Sequence, residues 1–401
     1  MSKNLNDEKR VKHLLEFSNL MMQGEDGSKL IKRYQEDISN VTPNDMLKLE
    51  DMQIEAKVSV NKIKNGVDKV INVFYESLNN YKWNKPTENT FLYYLMEENK
   101  ELTKKLNNIK LLLKKDNLQN TQSELLSAFT KIIEIEDHYA KKENILFPYL
   151  ETKLERYHAL NVMWSLHDDA RKKLKLIISI LENQTINEKE LLTEIGQIFF
   201  LLFGLIQKEN LIVYPVASEV ITDEEFKKMH LQSFEYNFSF IDTPKKTKEI
   251  LNDSNINTTS NDFNDYLLKT ETGILTAEQI LIAFNTLPLD ITIVDENNKV
   301  RFFSKPNERF FPRSPAIIGR DVKNCHPPES VHIVERIIDA FRKGEKDTAK
   351  FWLNLKGKVI LIQYFAMRNE KNEYKGVLEV GQDITDIKQL KGSQTLLDWD
   401  K

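Results

Sequence analysis

Three stretches decide the fold of the C-terminal part of this chain: LPLDITIVDENNKVRFFS (287–304), PRSPAIIGRDVKNCHPPESVHIVERIIDAF (312–341) and FWLNLKGKVILIQYFAMRNEKNEYKGVLEVGQDITDI (351–387). A strand ending in Asp295 meets a tight polar turn, Glu296-Asn297-Asn298, and a second strand follows. A short helical stretch comes next. Three β-rich runs then follow, broken at Lys356-Gly357 and at Asn369 to Tyr374, and the last closes on Asp383-Ile384-Thr385.

That order of elements, with its terminal Asp-Ile-Thr, resembles a PAS domain. The resemblance implies a small α/β fold that holds a ligand or a partner and senses rather than catalyses.

Composition bounds the rest. At 401 residues the chain has room for two or three domains, each with its own core. A formal net charge of −4 and the lack of a basic stripe argue against nucleic acid as a partner. The start, MSKNLNDEKR, lacks the apolar core of a signal peptide. No apolar run reaches the length of a membrane span, the strongest being Ile195 to Ile206. The single cysteine, Cys325, excludes an internal disulfide framework. The expectation is a cytoplasmic, multidomain protein of α plus α/β class.

Residues 1–80 read as an N-terminal helical domain, with Leu14, Leu15, Phe17, Leu20 and Met21 at helical spacing and a turn at Gly24 to Gly27. Thr42 with Pro43 predicts a helix start. Residues 81–240 hold four amphipathic segments, 89–115, 121–150, 157–182 and 188–219, the lengths of a four-helix bundle. A faint repeat runs through it: KENILFP (142–148) is echoed by KENLIVYP (208–215), with one extra residue, and each proline is expected to kink or end its helix. Residues 241–270 are polar and read as a linker, followed by a helix at 276–285 and the domain of 271–401.

A metal centre inside a bundle needs inward His, Glu and Asp from several helices. Spacing offers Glu134 and His138, four apart on one helix face, with Glu143, His167 and Glu209; His158 is a weaker candidate. His138 and Glu143, five apart, share a metal less readily. The alternative for each histidine is a polar boundary residue beside Asp137 or Asp168.

The phrases DHYAKKENILFPYLE (137–151) and VMWSLHD (162–168) resemble bacterial haemerythrin-like (HHE cation-binding) domains. Together with NCHPPESVHIV (324–334) they are similar to a subfamily joining an N-terminal helical domain, a haemerythrin-like bundle and a C-terminal PAS domain. The resemblance implies iron as cofactor and O2 or NO as gas ligand. The chain departs from the pattern, however. Thr90 and Tyr93 stand where that subfamily has histidines, Val67 and Val70 replace a Cys/His pair, and the repeat counterpart of His138 is Gly204 or Leu205. A centre short of imidazoles holds one metal weakly, is completed by carboxylates such as Glu134, or is vestigial.

In the PAS-like domain Cys325, His326 and His332 are the candidate ligand contacts, since thiolate and imidazole suit haem iron. The other reading makes His326-Pro327-Pro328 a stiff turn opening a helix that carries His332. Residues Ile291, Ile293, Phe302, Ile362 and Tyr364 are expected on one apolar wall. No nucleophile–base pair or phosphate-cradling glycine loop appears, so an enzyme is the least favoured class. Beside a purely structural reading, in which both domains are interaction scaffolds, two functions stay open. One is a sensor with haem or another small ligand in the PAS domain, signalling to a protein partner. The other is a haemerythrin-like iron protein with PAS as its homodimerising module.

Overall fold

The computed structural model describes residues 2–115, 118–154, 158–183, 187–245 and 267–393. Two compact units divide the chain near residue 251.

In the helical unit, α1 (Ser2–Met22), α2 (Gly27–Arg33), α3 (Gln35–Ser39), α4 (Pro43–Glu55) and α5 (Val60–Asn79) precede the bundle. Thr42 caps α4 as its sequence predicts. Its hydroxyl accepts from the Asp45 N–H, the Asp45 carboxylate accepts in return from the Thr42 N–H, and Pro43 takes the first turn. The bundle is built from α6 (Phe91–Lys115), the run α7 (Leu118–Ile132), α8 (Ile135–Lys141) and α9 (Phe147–Lys153), then α10 (Ala159–Glu182), and the run α11 (Glu188–Lys208) and α12 (Tyr214–Val220). A last helix, α13 (Asp223–Ser233), packs against α6. One continuous apolar core joins Leu14, Phe17 and Phe74 of the first helices to Leu106, Phe129, Ile177 and Ile198 of the bundle. Side chains at i, i+3 and i+4 on each long helix supply it.

Each half of the bundle contains a π-helical turn, Lys142–Leu146 and Glu209–Val213. Here the Phe147 N–H bonds to the Lys142 carbonyl, and the Tyr214 N–H to that of Glu209. Pro148 and Pro215 follow at once. Proline donates no bond and crowds the carbonyl four residues back, so the wider turn lets the chain stay helical where a kink or end was expected.

The run of α11 and α12, residues 188–220, is long and apolar enough to cross a membrane by length and composition. This corrects the expectation that no such segment exists. Here its Leu191, Ile195, Ile198, Leu202 and Leu205 are buried in the helical core.

Most of the segment read as a linker, 246–266, lies outside the described residues, and its end, Leu267–Thr270, forms β1 of a hairpin with β2 (Gly273–Thr276). The second unit continues with helix Ala277–Thr286, capped by Thr276. Strands β3 (Asp290–Asp295), β4 (Val300–Phe303), β5 (Thr348–Leu355), β6 (Lys358–Arg368) and β7 (Tyr374–Asp383) form one antiparallel sheet in the order β4-β3-β7-β6-β5. Asp295 builds the first turn by accepting from the N–H groups of Asn297 (2.9 Å) and Lys299 (2.8 Å), and Asn298 takes φ 63°. Thr385 ties the terminal Asp-Ile-Thr to β6 by accepting from the Val359 N–H at 2.8 Å.

Register places Thr292, Glu379, Tyr364 and Ala349 in one row across the inner face. Helix Pro328–Arg342 covers that face with Ile338 and Phe341. Ile291 and Ile293 pair with Val380 and Leu378, so they point to the other side. The apolar wall expected from sequence is therefore split between two faces, because strand neighbours alternate.

Candidate functional site

Glu209 opens the second π turn and is buried at the centre of the bundle. Its Oε2 accepts from Asn99 Nδ2 and from Tyr214 Oη, each at 2.9 Å, and lies 3.2 Å from His138 Nε2. Its Oε1 accepts from the Lys142 ammonium and lies 3.8 Å from His167 Nε2. Both histidines singled out from sequence thus reach one carboxylate.

Each ring is steadied by a second carboxylate. His138 Nδ1 lies 2.7 Å from Glu98 Oε2, and Glu98 Oε1 accepts from the Lys141 ammonium and from the Ser239 N–H at 2.7 Å. His167 Nδ1 lies 2.8 Å from Glu143 Oε1, and Arg171 donates to both oxygens of Glu143 at 3.0 and 2.9 Å. The Tyr139 ring stacks on His167 at 4.0 Å between centroids.

Burial alone would push the three carboxyls up, but their partners outweigh it. Lys142, His138 and His167 hold Glu209 well below the ordinary carboxylate value. His138 and Lys141 hold Glu98 below it, and Arg171 with His167 does so for Glu143. Burial pulls the Lys142 ammonium down while Glu209 draws it back up. Asn99 and Tyr214 also donate to the Glu209 carboxylate and favour its anionic form. Burial and the Lys142 charge push His167 down, which keeps that ring neutral.

A resident iron ion would need lone pairs from several donors. Both ring nitrogens of His138 are already engaged by carboxylates, Nδ1 by Glu98 at 2.7 Å and Nε2 by Glu209 at 3.2 Å. At this centre only Nε2 of His167 is a ring nitrogen without a hydrogen-bond partner. The carboxylates of Glu98, Glu143 and Glu209 are matched by Lys141, Arg171 and Lys142. A divalent metal would add two uncompensated charges to a closed interior. No group of three or more His, Cys, Asp or Glu among the described residues is placed to hold a metal ion. The residues do not fit iron.

Of the sequence candidates, His138, Glu143, His167 and Glu209 come together, whereas Glu134 is exposed at the break between α7 and α8. His158 is exposed at the start of α10, with Nδ1 3.8 Å from Asp51. Tyr93 is half-buried, against the ring of Tyr94. The sequence reading missed Lys141, Lys142, Arg171 and Glu98. A signal for two of them was present: Lys142 follows His138 by four residues, and Arg171 follows His167 by four, which puts a cation on the same helix face as each imidazole.

On the inner face of the PAS-like sheet, Asp290 pairs with Arg309, and Arg313 Nη2 lies 3.5 Å from Glu379. Arg313 Nε is buried and has no hydrogen-bond partner. Burial, with Arg313 and Arg320 close by, pushes His326 down to about 4, so its ring is neutral. His326 is extended, as a residue before proline should be, and the helix starts at Pro328. Half-buried Cys325 directs its thiol to the Asp321 carbonyl at 3.7 Å. His332 is exposed. Burial and Glu379 together raise Tyr364 well above the ordinary phenol value.

Comparison with known families matches residues 90–217 to the haemerythrin HHE cation-binding domain and residues 281–385 to the PAS domain. Among solved structures, a C-terminal domain from Streptococcus mutans is 29% identical, covers 32% of this chain and 99% of its own, and has a TM-score of 0.31. The PAS domain of a protein from Colwellia psychrerythraea is 23% identical over 27% of this chain and 97% of its own, with a TM-score of 0.22. A sensory box sensor histidine kinase from Vibrio cholerae is 15% identical over 26% of this chain and 87% of its own, with a TM-score of 0.21. No curated protein matches.

Proposed function

We propose that this chain, which joins a haemerythrin HHE domain to a PAS domain, is a cytoplasmic sensory protein taking a small acidic ligand on the inner face of its PAS sheet. Arg313 carries the reading. Its side chain is half-buried, its buried Nε lacks an acceptor, and its contact with Glu379 is long at 3.5 Å. A buried donor left without a partner costs about 1–3 kcal/mol, and a planar anion would satisfy it through two parallel bonds. Arg313 and Arg320 both lie close enough to His326 to push it down, so an acidic ligand would meet positive charge here. The neutral ring of His326 adds a donor without repelling a proton-bearing ligand.

Haem is less well supported than a small acid. The Cys325 thiol is turned to a backbone carbonyl and His332 is exposed, so neither offers iron an axial bond across the inner face. Output passes by contact with a protein partner, with PAS-mediated homodimerisation as one route.

The test is to purify the full chain, record its ultraviolet–visible spectrum, and identify by mass spectrometry any small molecule released on denaturation. A carboxylic acid released by wild type and not by Arg313→Gln supports the reading. A Soret band would overturn it in favour of haem.

A further inference from the structure

We propose that Lys142 takes the place of a metal in this bundle: its ammonium, bonded to Glu209, cross-links the two halves at the point where a cation-binding centre would otherwise join them.

The repeat positions the two residues. Each is the first residue of its π turn, and the turns end in Phe147-Pro148 and Tyr214-Pro215. On that register Lys142 answers Glu209, Lys141 answers Lys208, and His138 answers Leu205. The halves are thus equivalent in backbone and opposite in charge where they meet. A metal centre gathers anions and imidazoles around a cation. In this bundle the hub is a carboxylate, Glu209, which accepts from Lys142, Asn99 and Tyr214 and has His138 Nε2 at 3.2 Å.

The ammonium is built in. Lys142 is fully buried, and its Nζ also sits 4.6 Å over the Tyr139 ring, a second favourable contact for a cation. The neighbouring pairs Lys141–Glu98 and Arg171–Glu143 neutralise the remaining carboxylates. An incoming metal would have to displace this fully buried lysine.

The experiment uses the full chain, purified anaerobically, incubated with excess ferrous iron and desalted, with iron content and thermal midpoint as readouts. The expected result is iron no higher than in the His138→Ala/His167→Ala variant, and a midpoint unchanged by iron or by chelator. Stoichiometric iron that this double variant loses would overturn the proposal. In parallel, Lys142→Met should lower the midpoint by several degrees, and adding Glu209→Gln should recover most of the loss, because the stranded carboxylate is then gone. Should Lys142→Met fail to fold, the iron measurement on wild type still decides. A Lys142→Met protein as stable as wild type would overturn the proposal as well.

Discussion

Lys208 and Glu50 form a buried ion pair between the end of helix α11 and helix α4, with the ammonium 2.7 Å from each carboxylate oxygen. Lys208 directly precedes Glu209 in the chain. One segment thus sends a cation to the first helices and an anion to the bundle centre.

Removing one partner of such a pair leaves the other charged and buried. Lys208→Met is expected to cost about 3–5 kcal/mol, whereas Lys208→Met with Glu50→Leu should restore stability to near wild type. Urea unfolding of both variants checks this. A double variant as weak as the single one would argue against pairing as the cause.

Acid should act through two windows. His230 is buried and stacked on Tyr94 at 5.1 Å, and burial with the nearby Lys141 charge pushes it down to about 4; His326 is also pushed to about 4. Unfolded histidine binds its proton near pH 6.5, so between about pH 6.5 and 4 the unfolded chain takes up more protons and stability falls with pH. Glu98, Glu143 and Glu209 lie below their ordinary value, so their contribution is intact above it and is lost only on further acidification. His230→Gln should make the upper window shallower by the His230 share, with that of His326 retained, and leave the lower one in place, as read by unfolding midpoints across pH.

Asp51 caps a helix from a distance. Its Oδ1 accepts from the Ala159 N–H at 2.9 Å, one of the unpaired donors at the start of α10. Asp51→Ala is expected to destabilise the helical unit by about 1 kcal/mol, and Asp51→Asn by less, since the amide oxygen can still accept.

In the α/β unit Gly376 permits the pairing of β7 with β3. Its φ is 129°, and a Cβ there would lie 2.0 Å from the Val294 carbonyl oxygen. Gly376→Ala should destabilise that unit by more than about 1 kcal/mol. Amide exchange should speed up in β3 and β7 and stay unchanged in α6 to α12. Uniform loss of protection across both units would contradict the assignment.

Much of this architecture was legible because its signals are local. Thr42-Pro43, the Asp295-to-Asn298 turn and the Lys356-Gly357 break each fix backbone within a few residues, and the structure keeps all three. The four bundle segments also stand close to their predicted bounds, since apolar periodicity marks them directly. The centre was half legible. Convergence of His138, His167, Glu143 and Glu209 followed from helix faces and from the resemblance. Their neutralisation by Lys141, Lys142 and Arg171 did not, because lysine on an amphipathic helix ordinarily marks the solvent side. The π turns were hidden too. They depend on which carbonyl the Phe147 and Tyr214 N–H groups choose, and the prolines beside them read equally well as helix ends.

The Lys208–Glu50 pair and the Asp51 cap bear on where this polypeptide can be cut. The stretch that matches the haemerythrin family starts at residue 90, beyond both Glu50 and Asp51. A fragment expressed from that boundary would carry an orphaned internal lysine and an uncapped helix, so recombinant work on the bundle should begin upstream of α4. Relatives that diverge at Glu50 should diverge at Lys208 in the same lineage.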